Sequence, residues 1–539
     1  MVFCAWISGK RTRICIYSLC MAAVGINPAY AQVRLPALFG DHAMFQADKP
    51  VTVWGWAEPG AQVKVELRSE DGNTIGFAGT ADATGRWSGH LRALKSGTSG
   101  QLVVTTDKGD KIVSADILVG EVWLCGGQSN MEYDVAGTGR TDLKNPEEVA
   151  EVEANVATAK SEAEGARPPI RYFKVLFRRA SQPMNDVQGK WVLADAGNVP
   201  RFSAVAWNFA VALENKIHSP IGLIVSSVGN TPIETWMSKE ALAATPVGTA
   251  IFKRSEQELA AATAEKIARY KTDLAAWEAA NPTQQLQAEN ERAKPVAPPN
   301  LSAANYVPNQ YYNGMIRGLE PYAIRGVIWY QGAGNFMHPL EYSELFLALI
   351  KGWRGEWKEP TLPFYFVEES NFGAKQIAPV EPNPFSLIRE QQHAALTLPA
   401  VDMICSIDLG NGNGHYPNKK AAGERLAGLA LRYTYHRPGQ VDSPRYKSFD
   451  VNGNRIELRF TDARGLHVRD GEVLRGFAIR GAKGTWVWAS GRIEGQRIIL
   501  WSDQVSAPIA ARYAWAVNPI TSVENGSDLP LCPFRTDLQ

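Results

Sequence analysis

Cysteine is scarce in this 539-residue chain. Three of its six cysteines, Cys4, Cys15 and Cys20, crowd the first twenty residues. The others, Cys125, Cys405 and Cys532, are odd in number and match no zinc-ligand spacing. Cys125 and Cys405 close apolar runs, where a buried thiol is expected, so no disulfide framework is predicted. Charge of one sign is missing too: 56 Lys+Arg stand against 55 Asp+Glu, which leaves no basic field for nucleic acid or an anionic membrane. No apolar run reaches the roughly 18 residues of a membrane-spanning helix, and no solenoid-type repeat is present. What is there is ordinary globular composition, 45% hydrophobic and 21% charged, in a length that predicts two or three domains. The 16 Trp suit sugar-stacking surfaces and large cores equally.

The first residues read as a leader. Lys10, Arg11 and Arg13 precede an apolar run from Ile14 to Ile26, and Ala29-Tyr30-Ala31 follows. A basic region, a short apolar stretch and an A-x-A site predict a signal peptide cut after Ala31 and export to a periplasm or the medium. Residues 32–114 alternate with period two (Val63, Val65 and Leu67 against Gln62, Lys64 and Glu66) between turns such as Asp71-Gly72-Asn73. This predicts a small β-sandwich.

The texture changes near Ile117. Continuous apolar runs at Ile117–Cys125, Ile221–Ser226, Ile324–Tyr330, Leu362–Val367 and Val401–Ile407, with Ile170–Phe177 as a sixth candidate, alternate with helical-period segments. One helix carries Phe202, Val205, Phe209 and Leu213; another carries Tyr342, Leu345, Phe346, Leu349 and Trp353. The pattern predicts an α/β fold, a doubly wound parallel sheet over 115–443 with ligands beyond the carboxyl ends of the strands. An Ala/Glu/Lys/Gln-rich stretch at 241–300 predicts a helical insertion, and period-two texture over 444–539 predicts a closing β region. The charged stretch Glu147–Glu164 is a solvated helix face.

Four of those strand ends carry chemistry. The first runs into Gly126-Gly127-Gln128-Ser129-Asn130-Met131, a turn that exposes a serine Oγ at the carboxyl end of a strand. The second leads to Gly229, whose backbone N–H suits a developing oxyanion. The third ends in Gln331-Gly332-Ala333-Gly334-Asn335, where Asn335 offers an amide donor. The last ends near Asp408, with His415 seven residues on, placing a carboxylate and a general base on the same face as Ser129.

This order resembles the SGNH (GDSL-like) hydrolases. Glu121-Val122-Trp123-Leu124-Cys125 into Gly127-Gln128-Ser129-Asn130-Met131-Glu132 is similar to their sialate O-acetylesterase-like branch. So are Trp329-Tyr330-Gln331-Gly332, Asp408-Leu409-Gly410, Tyr312-Asn313-Gly314-Met315-Ile316 and Pro533-Phe534-Arg535-Thr536-Asp537. The resemblance implies a secreted esterase that removes O-acetyl groups from sugars, with O-acetylated sialic acid or plant xyloglucan as substrate and no metal or organic cofactor. It implies Ser129 as nucleophile, His415 as base, and an oxyanion hole of the Ser129 N–H, Gly229 and Asn335. Gln128, Asn130, Gln331 and Trp236 are the expected substrate-binding residues, Trp236 by stacking on a sugar or else as core. A non-catalytic glycan-binding protein on the same scaffold is the rival reading.

Two departures stand out. The family pattern Gln-Gly-Glu-Ser-Asn reads Gln331-Gly332-Ala333-Gly334-Asn335 here, and Tyr416 separates His415 from Pro417. Gly412 holds the position of an Asp-x-x-His acid. Asp408 is therefore the provisional orienting acid, with a partner elsewhere or a backbone carbonyl as alternatives. His338 is a candidate pocket residue; His42, His90, His218, His436 and His467 are read as structural or solvent-facing.

Overall fold

The computed structural model describes residues 32–138, 145–165, 169–261, 264–280, 295, 306–381, 383–438, 442–471 and 473–537. The expected signal peptide lies outside the described residues.

One strand organises the molecule. Lys111–Gly127 is 17 residues long. Its first half pairs antiparallel with Ser99–Thr106 in the leading β region, and its second half lies between Ile221–Ser227 and Gly326–Tyr330, parallel to both. The expected boundary at 114/115 falls inside this strand. The leading region adds Gln62–Ser69 and Thr74–Thr80 to the same sheet, while Val51–Trp56 and Arg86–Leu91 form a separate pair. Alternation holds in Gln62–Ser69, where Val63, Val65 and Leu67 are buried.

The central order is Val401–Ile404, Phe364–Val367, Gly326–Tyr330, Lys111–Gly127, Ile221–Ser227, Ile170–Lys174 and Trp191–Leu193. All pairings are parallel except the last; the sequence reading lacked that short edge strand. These strands are apolar throughout because both faces are covered. Successive side chains point to opposite faces, and the core divides accordingly. Val122, Leu124, Val327, Trp329 and Phe364 pack with the helix Tyr342–Trp357. Trp123, Cys125, Ile328 and Tyr330 pack with the helices Ala204–Ile217 and Lys420–Leu429. The chain winds to one side of Lys111–Gly127 and then to the other, so a topological switch lies at that strand's carboxyl end.

The helical insertion contains Lys239–Ala243, Gly248–Ala261 and Ala264–Ala280. The closing region forms antiparallel sheets, with strand orders Arg445–Asn452, Arg455–Thr461, Arg497–Trp501, Ser490–Glu494 and Val487–Trp488, Phe477–Gly481, Pro508–Tyr513, Phe534–Arg535. Cys125, Cys405 and Cys532 are buried free thiols. Among the described residues, no helix is long and apolar enough to cross a membrane.

Glu121 fastens the leading region to the sheet. Its carboxylate accepts from Arg325 at 2.5 and 3.0 Å, from the Tyr435 hydroxyl at 2.8 Å and from Gln46 Nε2 at 3.3 Å. A buried carboxylate is tolerable only while such donors surround it. Arg325→Met is expected to lower stability by about 2–3 kcal/mol in denaturant titration, and adding Glu121→Gln to recover most of the loss. No recovery in the double variant would show that Arg325 acts through packing rather than charge.

Candidate active site

The nucleophile turn begins with two glycines that the sheet requires. At Gly127 φ is +138°, and a Cβ there would lie 2.2 Å from the Tyr330 carbonyl oxygen. A Cβ on Gly126 would meet the Trp329 ring at 2.8 Å. The chain therefore turns tightly into the four-residue helix Ser129–Glu132, leaving Ser129 beyond the strand's carboxyl end.

The base loop is fixed to this turn from both sides. Asn130 Nδ2 donates to the Gly414 carbonyl at 3.3 Å, and Asn130 Oδ1 accepts from Lys419 Nζ at 2.7 Å. On the other flank, the buried Tyr416 hydroxyl bonds that of Tyr330 at 3.2 Å. His415 sits between these anchors. The tyrosine that interrupts the family's His-Pro pair is thus a tether from the His415 loop to a strand next to Ser129. Lys419 Nζ also lies 3.3 Å from the centre of the Tyr416 ring, a cation–π contact that helps hold a buried ammonium.

The other expected site residues have these contacts. Asp408 gives both carboxylate oxygens to Arg425, at 2.8 and 2.7 Å, so a guanidinium holds this carboxylate. Gly229 lies against Ser129, since a Cβ on it would be 3.4 Å from Ser129 Cβ. Its N–H, however, donates to Glu132 Oε2 at 2.8 Å and is not open. Asn335 donates through Nδ2 to Glu234 at 2.8 Å, while its Oδ1 accepts from Ile233 N and Gln331 Nε2. An amide nitrogen carries two hydrogens, so the Glu234 contact uses one of Asn335's two donors.

The expected sugar contacts are scaffold. Trp236 is fully buried, stacked on Tyr311 at 5.2 Å and bonded to Thr231 Oγ1; no ring face is left for a sugar. Gln331 is fully buried and bonds Thr231, Asn335 and Tyr342. Gln128 Oε1 accepts from Gly332 N at 3.4 Å and Gly334 N at 3.0 Å, tying the Asn335 loop to the nucleophile turn. Asn130 uses both ends of its amide to hold the base loop. Polar residues beside the nucleophile bind loops to one another here, because five strand ends must be kept in register without regular hydrogen bonding between them.

Three carboxyl groups at the site were given no role in the sequence reading. Glu132 and Glu234 are two. The third, Glu369, follows the strand Phe364–Val367 and accepts the Ala333 N–H at 3.2 Å. An acidic pair, Glu368-Glu369, ending an apolar strand was the available signal. Glu368 bonds His393 Nε2 at 2.6 Å. Arg389 fixes this stretch, donating to the Glu369, Ser370, Ala516 and Val517 carbonyls. The closing β region thereby braces the rim of the site. Asn518 adds a 3.0 Å bond from Asn371 Nδ2.

Burial pushes the Glu369 carboxyl up to about 7, against the pull of the Arg389 charge, the Ala333 N–H and the Lys419 ammonium. The folded state therefore holds a proton that the unfolded chain releases above its ordinary value of 4.5, and stability falls as pH rises from about 4.5 to 7. Glu369→Gln is expected to be stabilising by about 3 kcal/mol at pH 8, with the gain vanishing near pH 4. Denaturant titrations at the two pH values check this; a pH-independent difference would contradict it.

The comparisons agree with this architecture. The family model for carbohydrate esterases described as sialic acid-specific acetylesterase matches residues 295–432, a span that includes Asn335, Glu369 and His415. A carbohydrate acetylesterase from Xanthomonas citri has a crystal structure similar to this one at TM-score 0.74. It is 32% identical, with 94% of this chain and 100% of that chain covered. The sialate O-acetylesterase of Rattus norvegicus is 28% identical over 360 residues, 62% of this chain and 60% of its own length. That of Homo sapiens is 25% identical over 523 residues, 89% and 88% of the two chains. The match therefore spans about three-fifths of the rat relative's length and most of the human one's. With a parallel sheet that gathers Ser129, Gly229, Asn335 and the His415 loop at one edge, the chain belongs to the sialate O-acetylesterase-like family of carbohydrate acetylesterases.

Proposed function

We propose that the protein is an exported carbohydrate O-acetylesterase acting by a Ser129–His415 acyl-enzyme mechanism. The observation that carries this reading is the double anchoring of the base loop. Gly414 and Lys419 bond the residue after Ser129, and Tyr416 bonds the strand beside it.

His415 takes the Ser129 hydroxyl proton as Oγ attacks the acetyl carbonyl carbon, and the carbonyl electron pair moves to its oxygen. The Ser129 N–H and the second N–H of Asn335 receive that oxyanion, joined by the Gly229 N–H once Glu132 gives it up. Collapse breaks the bond to the sugar oxygen, which leaves with the proton from the imidazolium. Water then gives a proton to His415, attacks the acetyl-enzyme and releases acetate, restoring the serine. No step draws on a metal or an organic cofactor. The imidazole is oriented by Asp408, itself held by Arg425, by a carboxylate elsewhere or by a backbone carbonyl.

An O-acetylated plant glycan of the xyloglucan type is favoured over an O-acetylated sialic acid, because the Ala333-Gly334 pair departs from the family pattern and sialate specificity does not transfer directly. The basic-apolar-A-x-A leader supports export, and the leading (32–114) and closing (444–539) β regions act as braces for the catalytic portion.

The test is acetate release from O-acetylated xyloglucan and O-acetylated sialoglycan, with Ser129→Ala and His415→Ala beside the native protein. Release from xyloglucan, lowered at least about a thousandfold in either variant, is expected. A folded native protein that releases no acetate and fails to label at Ser129 with a fluorophosphonate would instead be a glycan-binding scaffold.

A further inference from the structure

Among the contacts around Ser129, one works against the reaction as the site stands. A donor serves an oxyanion when it lies about 2.7–3.1 Å from that oxygen. Glu132 Oε2 lies 2.8 Å from the Gly229 nitrogen, so a carboxylate of the chain already occupies the oxyanion's place on this donor. Two anions repel each other on the same N–H.

Position alone does not explain the contact. Acidic residues in a helix's first turn are common because they suit its own N-terminal N–H groups. Glu132 bonds none of those. It reaches to the turn after Ile221–Ser227, and a Cβ on Gly229 would stand 3.2 Å from Glu132 Oε2 and 3.4 Å from Ser129 Cβ. The carboxylate and the nucleophile thus flank the same glycine. No Lys or Arg ion pair holds Glu132 among the described residues, while Glu121, Glu341, Glu390 and Asp408 are each bidentate to an arginine. Glu132 is also only half-buried, so its side chain has room to turn away from Gly229.

Resting on the esterase reading, we propose that Glu132 is a specificity-determining residue: its carboxylate holds the Gly229 N–H until a free hydroxyl of a neutral sugar, next to the acetyl ester, draws it away and opens the oxyanion hole. A charge-assisted O–H···O⁻ bond is strong enough to replace the N–H···O⁻ bond given up. Substrates without such a hydroxyl meet a partly blocked hole. Sugars that place their own carboxylate beside Glu132 are disfavoured by like charge, an element of rejection as well as recognition.

The experiment compares native protein, Glu132→Ala and Glu132→Gln on p-nitrophenyl acetate, which has no hydroxyl, and on O-acetylated xyloglucan oligosaccharide. Thermal unfolding and fluorophosphonate labelling of Ser129 are followed in each. Glu132→Ala is expected to raise kcat/KM on p-nitrophenyl acetate about tenfold, a fraction of what one full oxyanion donor contributes. On the oligosaccharide it should lower kcat/KM about tenfold or more. Glu132→Gln, neutral but of the same shape, should move both values the same way by less. Changes in the same direction on the two substrates, or no change on either, overturn the proposal while native turnover and labelling leave the esterase reading intact. A native protein that releases no acetate from the oligosaccharide and does not turn over p-nitrophenyl acetate overturns both.

Discussion

The approach of Gly127 to the Tyr330 carbonyl is the constraint on which the site depends. Only a residue without a side chain can turn at φ +138° with that oxygen 2.2 Å from where a Cβ would be. Because it can, the nucleophile turn lies directly against the neighbouring strand, and Gln128 reaches the N–H groups of Gly332 and Gly334. The same closeness lets Asn130 reach the base loop. A bulkier turn would separate the strand ends, and every side-chain tie between loops would lengthen with it.

The long strand Lys111–Gly127 explains why the leading β region is not a detachable appendage. One end is part of its sheet, the other carries Ser129. The closing region contributes differently, through Arg389, Asn518 and the Arg535–Glu390 pair at 2.6 and 2.8 Å. A fully buried guanidinium that bonds four carbonyls ties irregular backbone from two regions together, which is where regular secondary structure cannot. Both regions thus act on the geometry of the strand ends rather than on the chemistry directly.

Sheet strands were legible in the sequence because burial on both faces leaves uninterrupted apolar runs, and the helix faces because Phe202–Leu213 and Tyr342–Trp353 keep a helical period. The glycine-rich turn and the order of the motif residues were legible because each follows such a run. What was hidden is partner choice. Asp408 and His415 are close in sequence, yet Arg425, one helical turn into the following helix, captures the carboxylate with a bidentate geometry that an imidazole cannot match. Trp236 follows a motif residue, but three-dimensional neighbours from separate segments, Tyr311, Trp329 and Trp353, enclose it. Gln331 and Asn130 looked like substrate contacts because polar residues beside a nucleophile usually suggest that role; here irregular loops claimed their amides first. Tyr416 looked like a defect in a motif and is instead an anchor, a fact visible only once Tyr330 is placed across from it.

The electrostatics of the site follow from its donors. N–H groups gather at the strand ends, and carboxyl groups of the chain lie on them: Glu132 on Gly229, Glu234 on Asn335, Glu369 on Ala333. The three are not equivalent. Burial raises the pKa of both Glu234 and Glu369, and each carboxyl accepts one donor of the neighbouring loop. Glu132 is only half-buried. The loss of the polar pair at Ala333-Gly334 fits this division. A Cβ on Gly334 would stand 2.2 Å from the Thr231 carbonyl oxygen, so the loop gains a close approach to the Gly229 turn. The next strand supplies, in Glu369, a carboxyl beside Ala333 where the family's motif would have carried one itself.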